Sequence, residues 1–330
     1  MFLVAPRRVD SAHEKKPSVS DSGVLFSTFE WSLVVRFKSL VPAGCEARPG
    51  TSLAYLSRAV GVLSSIHVFA GAFIDDPAVC GFEEAALAAY INGSVKILEV
   101  CNAASAEVER LRRTRLHLLL AIRVLSTGKP TPDKIRKARE SIREWDERSP
   151  RACTSIDLLV REPEDTDAPP WGRMTAVKRT ICAVEAASAL VGGALVAFVG
   201  GKPGGLTVGL KFAREFPWAD SFNEACGSLS GETFRSPPRE VEAATASARG
   251  LAEIIDNLPG NDGEKTEGWR TAMKDLENAA AELTVGLDRL GNAVNALFNV
   301  TLNTRNNALL IYRAGGANKR KSRRKYDINY

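Results

Sequence analysis

A chain of 330 residues can hold one large domain or two ordinary ones, each with a sizeable core. Apolar residues at 45% and charged residues at 25% are ordinary for a soluble globular protein, and aromatics at only 7% beside abundant Ala and Leu favour helices. The formal charge of +5 is smaller than the six charges of one basic run, Lys319, Arg320, Lys321, Arg323, Arg324 and Lys325, so the body is near neutral and carries no broad nucleic-acid footprint.

Residues 1–22 are polar and are expected as a disordered amino-terminal segment. Met1–Ala5 is apolar, but Arg7, Arg8, Glu14, Lys15 and Lys16 follow at once, too early for a secretory signal. Ser11, Ser18, Ser20 and Ser22 suit a plastid transit peptide, whereas Asp10, Glu14 and Asp21 do not. From Gly23 to Leu40, Phe26, Phe29, Leu33, Phe37 and Leu40 recur at helical spacing, with Pro42 and Gly44 beyond. Thr51 is a suitable N-cap for a second helix carrying Leu53, Leu56, Val60, Leu63 and His67 along one side. Gly71–Gly81, with Asp75-Asp76-Pro77, reads as a loop.

Between Phe82 and Ser126 there is no proline and a single glycine, so one long helix or two nearly collinear ones are expected. Its residues Leu87, Ile91, Ser94, Leu98, Cys101, Ser105 and Val108 step by four and three and keep one seam toward a partner. Thr131-Pro132-Asp133 supplies an N-cap and a first-turn proline for a charged helix to Glu147. Arg151–Trp171, acidic and proline-bearing, reads as a mobile connector. A helix follows from Arg173 to Val199, then the glycine-rich break 200–205, a short helix Leu206–Phe216, a linker Ser230–Pro238, and a helix through Leu258.

The last helix, Glu264–Arg313, shows sustained four-three spacing through Ala280, Leu283, Leu287, Leu290, Val294, Leu297, Thr301, Thr304, Ala308 and Ile311. The expected fold is all-α, an elongated antiparallel helical bundle with long heptad-patterned helices. Its domain spans 23–314, with mobile connectors near 150–171 and 228–238, and 315–330 is a disordered basic tail. An intermolecular coiled coil is the alternative use of the seams.

The chemistry on offer is thin. Six scattered cysteines, Cys45, Cys80, Cys101, Cys153, Cys182 and Cys226, form neither a disulfide framework nor a zinc pattern. Three histidines leave few acid–base options, and His67 and His117 are assigned structural roles. The stretch Gly200–Gly209 follows a helix rather than a strand and contains a proline, unlike a phosphate cradle. Asp75 and Asp76 are better placed for a turn than for paired-carboxylate catalysis. The glycosylation patterns at Asn92 and Asn299 fall in helices and are taken as accidental. No catalytic, cofactor-binding or metal-binding residue is assigned.

Ile181–Val199 is the ambiguous segment. Ile181, Val184, Leu190, Val191, Leu195, Val196, Phe198 and Val199 favour membrane insertion by on the order of −3 to −4 kcal/mol. Glu185 opposes that by about 2 kcal/mol, and Ser188, Gly192 and Gly193 add to the cost. The balance is near zero, which leaves a core helix and a membrane span both open. The basic run Lys319–Lys325 suits a solvated tail, a nuclear-import signal or a contact with anionic lipid.

Tyr90–Leu111 reads Y-I-N-G-S-V-K-I-L-E-V-C-N-A-A-S-A-E-V-E-R-L. It resembles a helix of the plant BYPASS family at Ser94, Val95, Lys96, Leu98, Cys101, Asn102, Ser105, Glu107 and Leu111. The order of the remaining elements is similar too, including the basic lead-in Arg173, Met174, Lys178 and Arg179, and a closing helix with Leu297-Phe298 and a Thr304-Arg305-Asn306 turn. The Phe/Pro/Gly-rich opening of many members is missing, and the tail from Gly315 has no counterpart. The resemblance implies a non-enzymatic regulator of plant development that limits a mobile root-derived signal and permits root and shoot growth. Protein partners, exocyst components among them, and membrane association are implied. The alternatives are an enzyme acting on a small hydrophobic signal precursor and an exocyst-associated trafficking adaptor. The expected location is cytoplasmic, with peripheral or single-pass endomembrane association; no nucleic-acid partner is expected, and a small-molecule ligand is not specified.

Overall fold

The computed structural model describes residues 19–41, 52–75, 84–127, 131–147, 175–200, 216–229, 237–256 and 263–326. Side chains are described within these ranges except at 19–26, 229, 263–267 and 315–326. The described residues form eight α-helices and no strand: α1 Val19–Lys38, α2 Leu53–Asp75, α3 Glu84–Ser126, α4 Pro132–Asp146, α5 Ala176–Phe198, α6 Ala219–Leu229, α7 Arg239–Asp256 and α8 Gly263–Tyr326.

Local chemistry sets several helix starts. Thr131 caps α4 by accepting from the Lys134 amide at 3.4 Å, and Pro132 occupies the first turn, as the sequence predicts. Thr175 caps α5 in the same way through the Lys178 amide. At α2 the capping side chain is Ser52, which accepts from the Tyr55 amide at 3.0 Å. The expected cap, Thr51, lies outside the described residues. The Leu53 amide is taken by both carboxylate oxygens of Glu240 on α7, at 3.1 and 3.0 Å, so a distant helix completes the α2 start.

The pairings fix the directions of the central helices. Leu53 lies against Gly286, Gly71 against Thr304 and Asp75 against Asn307, so α2 and α8 run parallel in constant register. Tyr90 meets Thr304, Arg112 meets Asp288 and Arg115 meets Thr284, so α3 and α8 run antiparallel. The bundle is therefore of mixed direction around α8. The α8 seam faces this core, with Leu283, Leu287, Leu290, Val294 and Leu297 fully buried; of the expected α3 seam Leu87, Ile91, Ser94, Cys101 and Val108 are buried, while Leu98 and Ser105 are only half-buried. Within the described residues the seams are used inside the monomer. α5 packs on α2 and α3, while α4 and α7 pair with each other and against α3 and α8, respectively.

Three expectations need correction. The loop expected from Gly71 is helix as far as Asp75. A side chain at Gly71 would put its Cβ 3.1 Å from Thr304 Oγ1, so this glycine serves close helix approach rather than a turn. The turn expected at Thr304-Arg305-Asn306 is uninterrupted α8, whose backbone continues to Tyr326. α6 has no counterpart among the elements expected from the sequence. It is held by aromatic packing, with Phe222 edge-on to Phe37 at 5.2 Å and Trp218 against both. The connector Arg151–Trp171 and the short helix expected at Leu206–Phe216, apart from Phe216 itself, lie outside the described residues.

Candidate functional site

At one level α2, α3 and α8 each turn polar side chains inward. His67, Tyr90, Ser94, Thr301 and Thr304 are all buried. His67 Nδ1 lies 3.0 Å from the Tyr90 hydroxyl, and Tyr90 also hydrogen-bonds Thr304. Ser94 donates to the Ile91 carbonyl at 2.7 Å within its own helix. The parallel register of α2 and α8 brings His67 level with Thr301, and the antiparallel register of α3 brings Ser94 to the same height.

The electrostatics of this layer are set by burial away from bulk solvent. Complete burial pulls His67 down to about 4, so the imidazole is neutral at physiological pH. Burial pushes the Tyr90 phenol upward, partly offset by the Thr304 hydrogen bond. Neither group changes charge near pH 7. The described thiols are equally quiet: burial pushes Cys101, Cys182 and Cys226 up to about 12, with Glu185 adding at Cys182. The structural assignment of His67 fits this geometry.

The other residues singled out by sequence are dispersed. His117 ties α3 to α4 through Glu144 at 2.6 Å. Asp75 ends α2 and accepts from Asn307 at 3.2 Å; Asp76 lies outside the described residues. Among the described residues no cluster of His, Cys, Asp and Glu could hold a metal. In the motif helix, Ser94, Cys101, Glu107 and Leu111 are buried, Lys96, Leu98 and Ser105 half-buried, and Asn102 exposed. Glu107 accepts from Nη2 and Nε of Arg110, at 2.6 and 2.7 Å.

Of the apolar segment in α5, Ile181, Val184, Leu190, Val191, Leu195, Val196 and Val199 are buried in the bundle and Phe198 is half-buried against it. α2 and α5 are both 23 residues long and apolar enough to cross a membrane by length and composition; most of α5, but only half of the apolar window of α2, is covered by protein. The basic side chains Lys319, Arg320, Lys321, Arg323, Arg324 and Lys325 lie outside the described residues, on the helical backbone of α8.

The polar layer is not among the sites expected from the sequence, although its signal is there. Ser94, Thr301 and Thr304 stand at seam positions where a heptad calls for an apolar residue.

Compared with known proteins, the chain is 25% identical over 309 residues to Protein BPS1, chloroplastic, of Arabidopsis thaliana, covering 89% of this chain and 85% of that protein. This likeness agrees with the resemblance carried by Tyr90–Leu111. It is also 27% identical over 245 residues to UPF0496 protein 4 of Oryza sativa subsp. indica, and 26% identical over 249 residues to the protein of that name in subsp. japonica. Each of these matches covers 69% of the chain, which spans only 53% of either rice protein, about half. No family model matches the chain, and no solved structure matches it. Tyr90 and Ser94, which open the BYPASS-like stretch, both belong to the buried polar layer, and so does Thr304 from the closing helix.

Proposed function

We propose that this chain is a non-enzymatic regulatory and interaction protein of plant development, acting as BYPASS proteins do to limit a mobile root-derived signal. The observation that carries this is the match to Protein BPS1 across most of both chains. An interaction role draws support from α3, where Leu116, Leu119 and Leu120 are exposed on adjacent turns between the exposed Arg113 and Arg123. Protein partners, exocyst components among them, would engage such a surface.

In this reading membrane contact is peripheral. α5 spends its apolar surface inside the bundle, whereas α1 and α2 expose Trp31, Val35 and Val68. The location is cytoplasmic, although the Arabidopsis relative is named as chloroplastic. A carboxy-terminal fluorescent fusion decides between the two, and a signal confined to plastids overturns the cytoplasmic assignment. The function is tested by complementation of a plant lacking its BYPASS-type gene. Restored root and shoot growth is expected; failure at normal protein levels refutes the assignment.

A further inference from the structure

His67 uses Nδ1 for Tyr90, and its Nε2 is buried with no hydrogen-bond partner among the described residues. Thr301 Oγ1, on α8 at the same height, is also buried and has none. The protons of the Thr304–Tyr90–His67 chain do not remove the problem. If Tyr90 donates to Nδ1, then Nε2 carries a hydrogen that no group receives. If Nδ1 carries the hydrogen, Nε2 is an acceptor that no group fills.

Two orphaned polar atoms in one interior are costly, since each has given up water without a replacement. Here they come from facing helices whose register is fixed by Leu53 against Gly286 below and Gly71 against Thr304 above. The two atoms make no direct hydrogen bond, and they offer a donor and an acceptor in either tautomer. A small molecule that both donates and accepts would satisfy both, and a buried site of this kind between polar groups is the usual setting of an internal water.

We propose that the polar layer is a binding site for one internal water molecule, held between His67 Nε2 and Thr301 Oγ1. Ser94, buried at the same height, is a third candidate partner, because its oxygen keeps lone pairs able to accept after donating to Ile91. The site joins α2 to α8 as Tyr90 joins α2 to α3, so the three central helices share one polar tie. It is independent of the developmental reading and stands or falls without it.

Substitution reads the site by sign. Thr301→Val keeps the shape and removes the hydroxyl. If that hydroxyl holds a water shared with His67, the full-length variant unfolds in urea at pH 8 with a folding constant roughly tenfold lower. In a His67→Phe background the same change is expected to alter it less than about twofold, because the water has already lost its other anchor. A Thr301→Val variant as stable as the parent, or more so, overturns the proposal, since removing an orphaned hydroxyl relieves a cost. Equal losses in both backgrounds overturn it too. A crystal structure of the parent chain tests the site directly. Density for a water within about 3.2 Å of both atoms supports it, and apolar packing or direct contact between them refutes it.

Discussion

Acidification should unfold this protein partly through one residue, His67. The imidazole is fully buried and its pKa falls from 6.5 to about 4, so between those values the unfolded chain binds a proton that the folded chain refuses. Stability is therefore intact above pH 6.5 and is lost as the pH drops toward 4. At about 1.36 kcal/mol per unit, the depression corresponds to roughly 3 kcal/mol in full. Between pH 7 and pH 5 the loss works out at about 2 kcal/mol, because the folded imidazole stays neutral across that window while its unfolded counterpart becomes charged. The perturbation to use is His67→Gln, which removes the titration but keeps a polar group able to accept from Tyr90. Urea unfolding of parent and variant at pH 7 and pH 5 isolates the term, since every other titrating group is common to both. The parent should lose about 2 kcal/mol more than the variant over that interval. Parallel losses would mean that the imidazole is reached by bulk solvent or by a charge that stabilises its protonated form, and would refute the burial assigned to His67.

Replacing Leu290 with Asp places a charge at a fully buried seam position and should cost several kcal/mol, read as loss of the cooperative thermal transition; unchanged stability would put that face at the surface. Two glycines should respond with opposite signs. Gly61→Ala on α2 meets open space and should stabilise by roughly 0.5–1 kcal/mol, whereas Gly286→Val drives a Cβ to 2.9 Å from Leu53 and should destabilise by about 1–3 kcal/mol, both measured in urea. Glu240→Ala removes the distant cap of α2 and should cost about 0.5–2 kcal/mol, with amide exchange quickening at Leu53. Membranes from cells expressing the chain should release it into alkaline carbonate, because α5 is packed within protein; complete retention would instead make it a span.

Much of the secondary structure was legible from local chemistry. Thr131 and Pro132 announce α4 because capping and proline geometry act over a single turn. The four-three spacing from Ala280 to Ala308 announces the buried face of α8, because a seam repeats wherever a helix keeps the same neighbours. The tertiary structure decided what depends on partners distant in sequence. Gly71 carries every local mark of a turn, yet it sits inside α2, since its missing side chain lets Thr304 approach. α6 has too short a pattern to declare itself and depends on Phe37 and Trp218 for its place. The apolar run of α5 is equally suited to lipid and to protein, and only the packing of α2 and α3 around it shows that protein covers it here. The polar layer is the clearest case. His67, Tyr90 and Thr304 are far apart along the chain, and no periodicity in any one helix states which residue of another will stand opposite. Sequence determines the faces, through forces that act within a turn; the register that brings three faces to one level comes only from packing.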